Sequence, residues 1–227
     1  MEFTLAHSQS TDLQPFIFEA PFTCITAGST QSGKSTFWKE LLQSRLIDPF
    51  PDHILWYHPL GTSQPLHEEL VQSVPNITLH HGLPDFNNEN FLATLRNSLI
   101  ILDDLIHDLN HNDNGVGRFF AVNSHHLGAS IVLLAQSIFF DNRQFRLAAA
   151  NARYMLLFKS PRFTAQISHL ARQMDQETRQ SIETAYDDAT NGQPYTYLLI
   201  DNSCNCPSGG RLRKSVLPRD VFNQIYL

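Results

Sequence analysis

The stretch Gly28-Ser29-Thr30-Gln31-Ser32-Gly33-Lys34-Ser35 meets the pattern G-x-x-x-x-G-K-[ST] in full. Those residue types at that spacing suit the grip of a polyphosphate. Glycine reaches backbone angles that aim successive N–H groups at one point. The start of the following helix adds further donors and a partial positive charge. Lys34 is placed to reach β- and γ-phosphates as a point charge, and the Ser35 hydroxyl is the expected Mg²⁺ ligand. With Thr36, the residues Gly28, Ser29, Thr30, Gln31, Ser32, Gly33, Lys34 and Ser35 form the expected binding set for ATP with Mg²⁺. On the order of one chain in a hundred of this length would match by chance. An apolar strand-like run before the loop and a helical pattern after it narrow the odds, leaving a flexible Ser/Gly loop as the bland alternative.

A phosphate loop needs a carboxylate at the end of a neighbouring buried strand. Leu99-Ile100-Ile101-Leu102-Asp103-Asp104 supplies it. Asp103 is the expected Mg²⁺ ligand through water, since Mg²⁺ keeps much of its hydration shell. Asp104 would orient and deprotonate an attacking water. The alternative is a strand end with two solvated acids. A second acid beside the first favours hydrolysis over transfer to a substrate hydroxyl. Ser130-Ile131-Val132-Leu133-Leu134-Ala135-Gln136 is another apolar run, ending in an amide that can contact both the γ-phosphate and the water. Gln136 bonded to loop backbone is the equal alternative.

The elements that must hold these groups alternate between short apolar runs and helical patterns, which indicates βαβ units and a mostly parallel sheet. Strands are expected at 22–27, 54–58, 76–80, 99–102, 130–135, 154–159 and 195–201. Helices are expected at 35–45, 65–74, 143–152, 162–174 and 176–188. Residues 211–216 would return beside the last strand as a hairpin arm, and 218–225 would close as a short helix with Pro218 near its start. Residues 108–117, rich in Asn, Asp and Gly, read as a flexible loop. The expected fold is thus α/β: a P-loop NTPase with a RecA/HerA-like, mostly parallel sheet flanked by helices and a C-terminal β-hairpin arm. No linker or repeat divides it, so residues 1–227 are taken as a single domain.

Composition sets limits. Apolar residues are 42% of the 227, enough for a full core, and charged residues only 17%. The net charge of −6 excludes a generally basic coat, so contact with DNA needs a local patch or an assembled ring. No apolar run approaches a membrane span, and the polar opening from Met1 to Gln14 does not read as a signal peptide. Cys24 falls in a core strand. Cys204 and Cys206 read as loop residues rather than a metal or redox pair, and all three suit a reducing compartment.

Taken in order, these motifs resemble the HerA/FtsK superfamily of P-loop ATPases, and more closely the genome-packaging ATPases of large DNA viruses (poxvirus type), virophages and Polinton/adintovirus elements. The likeness runs from about Pro21 to Pro218. Beyond the three motifs it is carried by Ser124-His125-His126, by 151–162 ending in Ser160-Pro161-Arg162, by Leu170-Ala171-Arg172-Gln173-Met174, by Ala185-Tyr186-Asp187-Asp188-Ala189-Thr190 and by Pro194-Tyr195-Thr196-Tyr197-Leu198-Leu199. Departures are Leu127-Gly128-Ala129, where relatives often carry a basic residue, and Phe163, where an acid is common. The resemblance implies a homo-oligomeric ring that threads double-stranded DNA into a capsid, with capsid or portal proteins as partners and no membrane. It implies action in the cytoplasm or nucleus of an infected cell, with transient virion association. It implies that the Gln136 strand lies between the P-loop and Asp103 strands. By position, Lys34, Asp104 and Gln136 are catalytic. Such rings also supply an arginine from the neighbouring subunit. Arg118, Arg146, Arg153 and Arg162 are candidates, with Arg146 and Arg162 preferred and a surface salt bridge the alternative for each. Two readings stay open beside the motor: a P-loop kinase of a nucleoside or small molecule, and a nucleotide-gated assembly factor without turnover.

Other residues have plainer readings. His80-His81 and His125-His126 lack ligands at zinc spacing and read as polar strand ends. Arg211, Arg213 and Lys214 are the densest basic cluster, either a solvated hairpin arm or a face for DNA phosphates. Trp38 and Trp56 read as packing residues.

Overall fold

Four of the six parallel strands, at 23–27, 98–103, 130–135 and 154–158, arise where the apolar runs are continuous, because such runs suit strands buried on both faces. A computed structural model describes residues 16–61, 65–110, 114–192, 194–206, 210–218 and 224–226. In chain order, β1 is Phe18–Glu19, β2 Thr23–Ala27, α1 Lys34–Gln43, β3 Ile47–Asp48, β4 His53–His58, α2 Pro65–Ser73, β5 Ile77–His81, α3 Glu89–Ala93 and β6 Ser98–Asp103. The elements continue with α4 Val116–Arg118, α5 Ser124–Leu127, β7 Ser130–Ala135, α6 Arg143–Ala150, β8 Tyr154–Phe158, α7 Thr164–Ala171, α8 Gln176–Thr190, β9 Tyr197–Asp201, β10 Leu212–Lys214 and β11 Gln224–Tyr226. A π-helical turn, Phe119–Asn123, joins α4 to α5.

The main sheet has the order β11-β10-β9-β8-β2-β7-β6-β4-β5. Strands β8, β2, β7, β6, β4 and β5 are parallel; β9, β10 and β11 add antiparallel at one edge. The Gln136 strand thus lies between the P-loop and Asp103 strands, as the family resemblance implies. Because side chains alternate across a strand, β6 sends Leu99 and Ile101 to one core, and Ile100 and Leu102 to the other. The first core is sealed by Phe37, Trp38 and Leu41 of α1 and Leu70 of α2. The second is sealed by Phe119, Phe145, Ile167 and Ile182. Trp38 and Trp56 are fully buried packing residues, and Trp38 Nε1 donates to Thr26 Oγ1 at 2.9 Å.

Three expectations are corrected. The close of the chain is a strand rather than a helix over its described part: β11 pairs antiparallel with β10, and the Tyr226 hydroxyl donates to Asp188 Oδ2. The expected loop at 108–117 is ordered at both ends. Asp108–Asn110 forms a 3₁₀ turn, and buried Asn114 and Val116 lead into α4; residues 111–113 and Met1 to Gln14 lie outside the described residues. His125 and His126 sit on helix α5, not at a strand end, because the Ser124 hydroxyl and Gly128, in the left-handed region, end that helix just before β7. A short parallel pair, β1 with β3, was not anticipated.

Candidate nucleotide site

Every group singled out for chemistry on the parallel strands falls at their C-terminal ends, where an open α/β sheet places its ligands. β2 runs into the loop at Gly28, whose N–H donates to the Ala135 carbonyl at 3.1 Å. A Cβ on Gly28 would lie 2.6 Å from both Phe158 Cβ and Ser32 Oγ, so only glycine fits beside β8. Gly33, with φ of +98°, starts α1. That helix has neither a side-chain cap nor an acid in its first turn, so its first N–H groups are left for an anion. The buried Ser32 Oγ, which has no partner among the described residues, lies within the same loop. These are the features a phosphate chain would satisfy.

Lys34 Nζ donates to the carbonyls of Gly28 at 2.9 Å and Ser29 at 3.0 Å, folding back over its own loop. Burial pulls its pKa down, opposed by the charges of Asp103 and Asp104. Ser29 Oγ donates to the Lys159 carbonyl at 3.1 Å, tying the loop to the end of β8. Thr30, Gln31 and Thr36 are exposed along the rim.

Asp103 arrives from β6 on the same face as α1, because it continues the alternation of Leu99 and Ile101. Ser35 Oγ donates to Asp103 Oδ2 at 2.9 Å, across 68 positions of chain. Burial raises the Asp103 pKa to about 6, against the lowering effects of the Ser35 hydrogen bond and the Lys34 charge. The buried Trp56 Nε1–H also favours the ionised form of Asp103. The buried Asp103 carboxylate and the Ser35 hydroxyl are oxygen donors of the kind that fit a hydrated Mg²⁺. Asp104 turns out of the strand with φ of +56°, and its Oδ1 accepts from Gln136 Nε2 at 3.0 Å. The amide is bonded to the second acid rather than to loop backbone.

The structure therefore brings Lys34, Ser35, Asp103, Asp104 and Gln136 together at the C-terminal ends of β2, β6 and β7. The arginines divide. Arg162 is exposed in the turn that follows Lys159, beyond the C-terminal end of β8. Arg146 is exposed and paired with Asp141 at 2.6 Å. Arg118 is exposed at the end of α4. Arg153 precedes β8, at the far end of that strand, and is paired with Glu19 at 2.6 Å. Phe163, where an acid was expected, is fully buried and packs on Tyr186.

The basic hairpin is engaged internally. Arg211 Nη1 donates to the carbonyls of Asp201 and Ser203, Arg213 Nε donates to the Gly210 carbonyl and Lys214 pairs with Asp188. The His58 and His67 rings lie tilted to each other with centres 4.2 Å apart, and His81 meets His58 edge-on at 4.5 Å; they line a surface recess between α2 and β5 away from the phosphate loop. The sequence reading also missed Tyr195, whose ring lies against Gly33. An aromatic just before a strand carries no local signal that it will meet a glycine 162 positions away.

No protein-family model matches the sequence, and no curated protein matches it. Solved structures do share its architecture. The genome packaging NTPase B204 from Sulfolobus turreted icosahedral virus 2, in complex with ATP-gammaS, is 13% identical with a TM-score of 0.51, over 91% of this chain and 97% of that one. B204, the DNA-packaging ATPase from Sulfolobus turreted icosahedral virus, is 14% identical with a TM-score of 0.50, over 91% and 97%. EssC (ATPases 2 and 3) from Geobacillus thermodenitrificans is 15% identical with a TM-score of 0.54, over 91% of this chain and 39% of that one. In fold the chain is a P-loop NTPase, with the mostly parallel, helix-flanked sheet that these solved structures share.

Proposed function

We propose that this chain is an ATP-hydrolysing motor that moves double-stranded DNA, packaging a viral or virus-like genome into a capsid. The observation that carries the reading is the shared cluster: Ser35 on Asp103 at 2.9 Å, with Asp104 held by Gln136 at 3.0 Å beside them. In this reading Lys34 leaves the Gly28 and Ser29 carbonyls for the phosphates, which exposes the loop amides to the same ligand. Ser35 and Asp103 would hold Mg²⁺, which when bound neutralises charge on the phosphate oxygens. Asp104 takes the proton of the attacking water, and Gln136, bonded to Asp104, orients that water. Gln136 then senses loss of the γ-phosphate and relays it through β7 at the centre of the sheet.

The Asp104–Gln136 pair gives the amide a task at the water, which a kinase reading leaves without one. A ring of identical subunits, with Arg162 or Arg146 reaching a neighbour's nucleotide, completes the motor. Capsid or portal proteins are its partners, inside an infected cell. Likeness in fold to packaging NTPases supports this reading. No described helix is long and apolar enough to cross a membrane.

The test is ATP turnover with and without duplex DNA, alongside mass in solution. The motor reading expects slow basal turnover that rises with duplex DNA and with assembly. Phosphate transfer to a nucleoside in excess of free phosphate would replace it with a kinase. Tight binding with negligible hydrolysis, even with DNA and capsid components, would replace it with an assembly factor.

A further inference from the structure

β9 runs antiparallel to β8, so its start lies level with the end of β8, at the rim of the phosphate loop. Two nearby aromatics there have opposite fates. Tyr197 is 3% exposed and packs edge-on against Phe37 of α1, with ring centres 4.8 Å apart. Tyr195 is 55% exposed, yet its ring lies over Gly33, one helical turn before Phe37. A Cβ placed on Gly33 would come within 2.9 Å of the Tyr195 ring. Tyr195 also sits at φ of +67°, a conformation that is rare for a bulky side chain and held against a steric penalty. Packing does not explain the residue, since over half its surface faces solvent. The strained backbone instead sets an exposed aromatic ring at the lip of the loop whose amides and Lys34 are arranged for phosphates.

We infer that Tyr195 is the stacking platform for the base of the bound nucleotide, an inference that rests on the nucleotide reading of the loop. A polyphosphate held by residues 28–35 leaves its nucleoside to extend past the start of α1. The Tyr195 ring is an exposed aromatic at that point. Stacking on an aromatic face is favourable for any base, because every base has a π-face. The contact therefore adds affinity for nucleoside triphosphates over inorganic polyphosphate, with purines ahead of pyrimidines through their larger rings.

The experiment compares binding of Mg·ATP and of Mg·tripolyphosphate by the parent, Tyr195→Phe and Tyr195→Asn, by calorimetry on the full chain, with thermal melting and solution mass recorded for each. Asparagine tolerates the left-handed conformation, so it removes the ring while keeping the backbone. Tyr195→Asn is expected to weaken ATP roughly tenfold or more and to leave tripolyphosphate unchanged, while Tyr195→Phe keeps both. Equal weakening of the two probes, or ATP affinity unchanged, overturns the platform while leaving the phosphate loop intact. A change in solution mass with unchanged binding also overturns it, in favour of a subunit contact. A parent that binds neither probe overturns the nucleotide reading itself.

Discussion

Asp103→Asn should stabilise the nucleotide-free protein. Burial raises this carboxyl from 3.8 to about 6, which means the folded state resists its ionisation more than the unfolded chain does. A raised acid contributes stability at low pH and loses it as pH climbs from 3.8 through about 6. The full penalty, reached above that range, is about 3 kcal/mol, and about half of it is present at pH 5. A neutral amide of the same shape escapes the penalty and still accepts from Ser35. The ionised pair of Asp103 with Lys34 is lost, but its attraction is already contained in the raised value. In a domain of this size 1 kcal/mol moves Tm by about 2–4 °C. The expected gain at pH 8 is therefore about 6–12 °C, falling to about half at pH 5. The assay is thermal unfolding in chelator without nucleotide, at both pH values. A variant that melts below the parent at pH 8 would refute the reasoning. It would mean that Asp103 supports the fold and is not a strained group waiting for a metal.

Other outcomes rest on the same contacts. Gly28→Ala should cost about 1–3 kcal/mol in urea unfolding, because overpacking against buried Phe158 leaves the new methyl no room; unchanged stability would mean that β8 is free to shift. Gln136→Ala should leave ATP affinity near parental and slow turnover by about 10-fold or more, as the amide acts on the water rather than the phosphates; a loss confined to binding would contradict that role. Arg211→Ala should lower stability by about 1–3 kcal/mol through its two carbonyl bonds, with DNA-stimulated turnover unchanged. A fall in DNA stimulation at constant stability would return the hairpin to phosphate contact.

Much of the site is legible in the sequence because its chemistry is local. The loop is a run of eight residues, and Asp103 ends an unbroken apolar strand. Features set by pairing between distant segments are harder to read. The choice between a backbone-bonded and an acid-bonded Gln136 depends on β7 and β6 being neighbours, which the apolar runs do not state. Pro218 gave a helix-start signal that β10 overrode, because pairing with Ile225 and the Tyr226–Asp188 bond are contacts across the fold. The helix before β7 was hidden by its own glycines and asparagine. The basic residues Arg211, Arg213 and Lys214 could be counted but not placed, since the partners of Arg211 and Lys214 are Asp201 at the end of β9 and Asp188 of α8. Tyr195 was visible as part of a family-like stretch, yet its meeting with Gly33 is a product of β9 lying antiparallel to β8.

The central claim is that a water, rather than another substrate, is activated beside the phosphate loop by Asp104. Release of phosphate from ATP by Asp104→Asn, measured beside its ATP affinity, addresses it most directly. The account predicts binding close to parental with turnover reduced about 100-fold or more. Turnover at the parental rate would contradict it.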